Sequence, residues 1–99
     1  MNMNALMQQA QRMQREMEKA QKELEEKTFE ITSAGGGIKV TIKGTKEILN
    51  IDIDQDMIDP SEKDMLQDML VVAVNEAVGK VVEEEQAIVA KQQASMRMY

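Results

Sequence analysis

Cysteine and histidine are both absent from this chain of 99 residues. Without cysteine there is no disulfide and no thiolate metal site, which fits a reducing compartment. Without histidine the chain lacks the commonest metal ligand and the commonest acid–base group. We therefore expect no metal, no cofactor, no small-molecule substrate and no enzymatic activity.

Aromatic residues and long apolar runs are also scarce. One phenylalanine and one tyrosine are too few to form the stacking platform on which single-stranded nucleic acid binds. No apolar run approaches the roughly 18 residues of a membrane span, and the N-terminus has no signal-peptide core. The sequence thus predicts a soluble, cytoplasmic protein without a membrane partner, and its length predicts a single domain.

The net charge of −6 argues by itself against a nucleic-acid partner, because neutralisation of phosphates is the main source of such affinity. Net charge does not describe how the charges are distributed, however. A local basic patch acts within a Debye length of about 10 Å while acidic groups lie elsewhere.

A heptad pattern opens the chain and predicts a helix over residues 3–26 with a narrow apolar seam. The seam residues are spaced alternately by three and four: Met3, Leu6, Ala10, Met13, Met17, Ala20 and Leu24. The spacing leaves open whether the helix that packs on this seam belongs to the same chain or to a second copy. The opposite face carries Arg12, Arg15, Lys19 and Lys22, either as an ordinary solvated face or as a phosphate-binding one.

Three segments with period-two alternation follow, over 28–33, 38–43 and 47–53. They predict an antiparallel meander with one apolar face, linked by glycine-containing turns. In the second strand Lys39 and Lys43 fall on the polar face. In the third strand we expect Leu49, Ile51 and Ile53 to point inward.

A second, longer helix is predicted from Asp59, as N-cap, and Pro60, at the first helical position. Its segment Met69–Val74 is apolar all round, so it needs cover on more than one side. The sheet covers one side, and a second subunit is the natural cover for the other. The predicted domain is thus a helix arm (1–27), a sheet (28–54), a long helix (59–95) whose end projects, and a tail (96–99).

Four stretches in this order resemble the bacterial YbaB/EbfC family: LMQQAQRMQREMEKAQKELE, GGGIKVTIKG, IDIDQDMID and KDMLQDMLVVAVNEAVGKV. The likeness runs over about residues 5–85. It implies an α+β fold of order α-β-β-β-α, forming an intertwined homodimer whose long helices project like tweezers. It also implies a nucleoid-associated protein that binds double-stranded DNA, coats the nucleoid and influences gene expression.

With this resemblance, the basic residues of the first helix and second strand become the DNA-binding candidates. They are Arg12, Arg15, Lys19, Lys22, Lys39 and Lys43. The candidates for the dimer interface are Met13, Met17, Met69, Leu70, Val72 and Val74. We see no set of base-reading side chains, so we expect low sequence specificity.

Two other classes remain open. Helices that project from a small sheet also resemble prefoldin-type holdase chaperones, for which exposed apolar tips such as Met96, Met98 and Tyr99 would be suited. A dimeric adaptor that binds another cytoplasmic protein through the acidic second helix is the third interpretation. Basic residues on the first helix favour DNA over both.

Overall fold

The computed structural model describes the backbone of residues 2–97 and the side chains of residues 2–94. Its main elements are α1 (Met3–Glu26), β1 (Thr28–Ser33), β2 (Ile38–Lys43), β3 (Ile48–Ile53) and α2 (Lys63–Arg97). The three strands form one antiparallel sheet in the order β1-β2-β3. The α+β class and the predicted element order are confirmed.

Short polar caps start both helices. The Asn2 side chain accepts a hydrogen bond of 3.0 Å from the backbone N–H of Asn4 at the start of α1. Asp59 is the predicted N-cap, and its side chain accepts a hydrogen bond of 3.0 Å from the backbone N–H of Ser61. Pro60 then opens a single 3₁₀ turn before α2 begins. These side chains satisfy backbone donors that have no partner within the helix.

The core lies between the sheet and the first half of α2. Ile38, Val40 and Ile42 of β2 are completely buried, as are Ala73, Ala77 and Val81 of α2. The small alanines, one turn apart, let the helix approach the sheet closely. Because α2 crosses β1 and β2, the inner face of β3 is covered less well.

A β-bulge in β3 corrects one prediction. Thr41 pairs with Asn50 but Ile42 pairs with Ile48, so Leu49 is an extra residue without a partner on β2. Ile48 therefore packs against the core in the place predicted for Leu49, which is exposed. One inserted residue reverses which side chains face inward, because the side-chain period of a strand is two.

The ends of the helices project from the sheet as predicted. The molecule measures 70 × 21 × 16 Å, and α1 packs along the second half of α2. We call this pair of helices the arm. At its root Leu24 is buried, so the proximal heptad seam packs within the chain. α2 reaches Arg97 rather than 95; Met98, Tyr99 and the side chain of Met96 lie outside the described part of the protein.

Candidate nucleic-acid interface

Four basic side chains of α1 form one continuous surface, which we call the basic stripe: Arg12, Arg15, Lys19 and Lys22. At 3.6 residues per turn they fall within a sector of about 80°, and all four are exposed. The ion pairs among the described side chains, residues 2–94, are Lys46–Glu85 and Lys80–Glu84. The stripe is therefore not engaged by carboxylates of its own chain.

Carboxylates limit the stripe on both sides and at its root. Glu16 and Glu23 border one edge and Glu18 and Glu25 the other, as the helical spacing requires. The segment 3–15 contains no carboxylate at all. The positive potential of α1 is therefore strongest around Arg12 and Arg15, toward the end of the arm.

The structure adds Lys91 to the candidates. It lines the groove between α1 and α2 together with Lys19, and its side chain is exposed. Nothing in the local sequence distinguishes Lys91, because its position beside α1 depends on how the two helices pack. It adds a basic side chain on the neighbouring helix, in a groove that Glu16, Glu23 and Glu84 also line.

The two lysines of β2 lie on a different surface. Lys39 and Lys43 occupy the sheet face opposite to the buried Ile38, Val40 and Ile42. On that face Lys39 is paired across the sheet with Asp52. The predicted DNA-binding residues therefore divide between a basic stripe on α1 and a sheet face of mixed charge.

The acidic run Glu83–Glu85 is largely offset within the chain. Glu84 lies 3.2 Å from the ammonium of Lys80, and Glu85 lies 3.0 Å from that of Lys46. Partly exposed pairs of this kind add little stability, but each one cancels a negative charge locally. The arm is thus less repulsive toward phosphate than its sequence indicates.

The residues predicted for a dimer interface do not form one patch. Met69 and Leu70 pack partly against the core of their own chain, and Met13 is half-buried. Met17 and Val72 are exposed and Val74 is half-buried. Val72 and Val74 point about 160° apart on α2, since two residues advance a helix by 200°.

α2 instead carries two separate apolar flanks. The valine flank consists of Val71, Val74, Val78, Val82 and Val89, within about 80° of one another. The methionine flank consists of Met65, Met69 and Val72, beside Ser33 and Ala34. Sequence inspection missed Val71, although it is the more exposed of the adjacent valines, at 60% against 51% for Val72.

Other kinds of site find little support in residues 2–97. No group of three or more acidic side chains in this part is arranged to hold a metal ion. No helix in it has the length and apolar character needed to cross a bilayer.

Comparisons with known proteins give the family and the fold of the chain. A nucleoid-associated protein of Ruminiclostridium cellulolyticum is 52% identical over 80% of this chain and 69% of its own length. One of Clostridium novyi is 49% identical over 88% of this chain and 75% of its own length. The crystal structure of an uncharacterized protein from Helicobacter pylori has the same fold, with a TM-score of 0.73 at 20% identity, over 94% of this chain and 98% of that one. The model of the YbaB/EbfC DNA-binding family matches residues 1–96, and the chain belongs to that family.

Proposed function

We propose that this protein is a non-enzymatic, nucleoid-associated protein that binds double-stranded DNA through the basic stripe of α1. The observation that carries the proposal is the grouping of Arg12, Arg15, Lys19 and Lys22 on one exposed helix face without partner carboxylates. Membership of the family and the names of the relatives support DNA as the ligand and the nucleoid of the cytoplasm as the location.

The stripe suits the phosphate backbone rather than the bases. From Arg12 to Lys22 it extends over about 15 Å at a rise of 1.5 Å per residue, whereas phosphates recur about every 3.4 Å along each strand. Arginine and lysine neutralise these phosphates and release their counterions, which drives binding without reading sequence. Low sequence specificity follows, and any influence on gene expression would come from where the protein accumulates on the chromosome.

A homodimer would double this surface, and we propose the valine flank as its interface. α2 leaves the inner face of β3 partly uncovered, with Ile51 exposed there. The ion pair between Lys46, in the β2–β3 turn, and Glu85 places this side of α2 next to β3. Val71 lies on the same side of α2 as Glu85, within about 40° by helical spacing, and a second copy packed on this side would cover Val71 and Ile51 together. Of the predicted interface residues, Val74 lies on this flank and Val72 on the other.

A gel-shift with duplex DNA at two salt concentrations tests the proposed function. We expect wild type to bind at low salt and to lose affinity steeply as salt rises. Arg12→Glu with Arg15→Glu should abolish the shift while circular dichroism shows an intact fold, because both side chains are exposed. Lys39→Glu with Lys43→Glu makes the same charge change on the sheet and should weaken binding much less.

Two results would reject the proposal. If the Arg12→Glu, Arg15→Glu protein binds duplex as tightly as wild type, the basic stripe does not carry the function. If wild type fails to bind duplex even at low salt but suppresses aggregation of an unfolded protein, the holdase interpretation takes its place.

A further inference from the structure

The polar face of α1 continues beyond the basic stripe toward the N-terminus. Asn4 and Gln8 precede Arg12 at the spacing of three or four residues that also separates the four basic side chains. At about 100° per residue, both point within the sector of about 80° that the stripe occupies. We call these two residues the amide pair.

Both side chains of the amide pair are exposed and without a partner. Within the described side chains, residues 2–94, neither takes part in a hydrogen bond. Other amides of α1 are engaged, since Gln9 is half-buried and Gln14 donates to Glu18 at 3.4 Å. The segment 3–15 also contains no carboxylate that could accept from the amide pair. The N–H groups of the amide pair are therefore available to a ligand.

The described part of α2 ends before it reaches the amide pair. The C-terminal end of α1 lies at the root of the arm, whereas α2 leaves the root toward its own C-terminus, and Glu16 shares a groove with Gln92. The two helices are therefore antiparallel. At equal rise per residue, Arg97 lies level with about residue 11 of α1. The first turns of α1 extend beyond that level, so a ligand can approach them without meeting the described part of α2.

We propose that α1 lies across the major groove of DNA, with the basic stripe on the phosphates of one strand and the amide pair on those of the other. The proposal rests on the proposed DNA binding through the stripe. Asn4 precedes Arg12 by eight residues, or about 12 Å along the helix axis. The major groove is also about 12 Å wide. A straight helix whose cations hold one row of phosphates therefore reaches the opposite row with its first turns.

Amide side chains suit this second contact. Asparagine and glutamine donate N–H groups to phosphate oxygens, but they carry no charge and release no counterion. The contact therefore adds affinity without adding to the salt dependence, which the cations of the stripe set. Because phosphates are the same at every base pair, it also leaves the sequence specificity low.

Alanine substitutions test the amide pair in duplex binding at several salt concentrations. Asn4→Ala with Gln8→Ala keeps a good helix and should weaken duplex binding roughly tenfold, as the loss of two hydrogen bonds implies. The slope of log affinity against log salt should stay that of wild type, because no charge is lost. Gln14→Ala is the matched control, since Gln14 points about 120° from the middle of the stripe, and it should bind as wild type does.

Single-stranded DNA separates contact across the groove from contact along one strand. A single strand presents no second row of phosphates at the width of the groove, so the Asn4→Ala, Gln8→Ala protein should bind it as tightly as wild type does. Adding charge gives an independent readout. Gln8→Lys should tighten duplex binding and steepen the salt slope by about 1, the expected change for one added phosphate contact. Gln14→Lys adds the same charge away from the stripe and should do neither.

Three results would overturn the proposal. One is an unchanged duplex affinity of the Asn4→Ala, Gln8→Ala protein, and another is an equal loss of affinity for duplex and single strand. The third is a loss confined to particular duplex sequences, because the amides would then contact bases rather than phosphates. If wild type itself fails to bind duplex at low salt, the function proposed above is rejected as well.

Discussion

The backbone N–H of Gly44 donates a hydrogen bond of 2.9 Å to the carbonyl of Lys27, which joins the β2–β3 turn to the end of α1. A Cβ atom at position 44 would collide with the backbone carbonyl of Leu24. This close approach fixes the root of the arm on the sheet, and only glycine permits it.

We expect Gly44→Ala to lower the free energy of unfolding by about 1–3 kcal/mol, because backbone atoms must move apart. Gly79→Ala is the matched control, since a Cβ there meets nothing within 4 Å. Because position 79 lies in the middle of α2, Gly79→Ala should instead raise the free energy of unfolding by roughly 0.5–1 kcal/mol. Urea denaturation measures both, and equal destabilisation by the two substitutions would contradict the close contact.

The loop between β1 and β2 contains a strained alanine. Ala34 has a φ of 54°, in the left-handed region that disfavours residues with a side chain. The next two residues, Gly35 and Gly36, also have positive φ, at 64° and 99°. Ala34→Gly should therefore raise the thermal midpoint, by an amount equivalent to roughly 0.5–1 kcal/mol once the extra entropy of glycine is subtracted. Gly35→Ala should lower it, and a rise with Gly35→Ala would show that the loop adopts another conformation.

Asp59 makes helix initiation dependent on pH. The hydrogen bond from the backbone N–H of Ser61, with a second from its hydroxyl, lowers the pKa of Asp59 below its usual value. A carboxylate with a lowered pKa stabilises the fold above its unfolded pKa, and that contribution is lost as pH falls through the folded value.

We expect Asp59→Asn to be less stable than wild type at pH 7 and the difference to shrink when both are unfolded in urea below pH 4. Asparagine still accepts the N–H bond, so only the charge-dependent part is removed. Asp52→Asn changes the same charge away from a helix start and serves as the control. A difference that stays constant between the two pH values would be inconsistent with titration of this cap.

The sequence was sufficient for the elements that local patterns define. The seam of α1, the apolar face of β2 and the Asp59 cap each repeat at the period of one element or occupy its first turn. The bulge at Leu49 was missed because it depends on the turn before it, where the N–H of Lys43 bonds to the carbonyl of Glu47 at 2.8 Å. Alternation alone contains no signal for one inserted residue.

The candidate site was predictable to the same extent. The basic stripe follows from helical spacing within α1, so its four residues could be found in advance. Lys91 and the neutralisation of Glu85 by Lys46 require the antiparallel packing of the arm and the position of the turn, which are tertiary features. The division of Val72 and Val74 between two flanks was predictable from the spacing, but the exposure of each flank depends on the path of α2 over the sheet.

Substitutions on the two flanks of α2 should have opposite effects on self-association. If the valine flank is the dimer interface, Val71→Asp places an unpaired charge within it, at a cost of several kcal/mol. Sedimentation at micromolar concentration should then show a dimer for wild type and a monomer for Val71→Asp. Val72→Asp, on the methionine flank, should remain dimeric. A folded wild-type monomer would eliminate the dimer, and the reverse behaviour of the two variants would move the interface to the other flank.

Lys91, on the α2 side of the groove between α1 and α2, provides the most specific test of how DNA is held. Lys91 and Lys19 line one groove, so each neutral substitution, Lys91→Gln or Lys19→Gln, should weaken duplex binding to a similar degree. Each should also reduce the slope of log affinity against log salt by about 1, the expected change for one lost phosphate contact. Lys80→Gln is the control on the same helix, because Lys80 is already paired with Glu84 at 3.2 Å. Filter binding at four or more salt concentrations yields these slopes. If Lys80→Gln reduces affinity and slope as much as Lys91→Gln does, the protein responds to net charge alone, and a defined contact between the arm and the phosphates is ruled out.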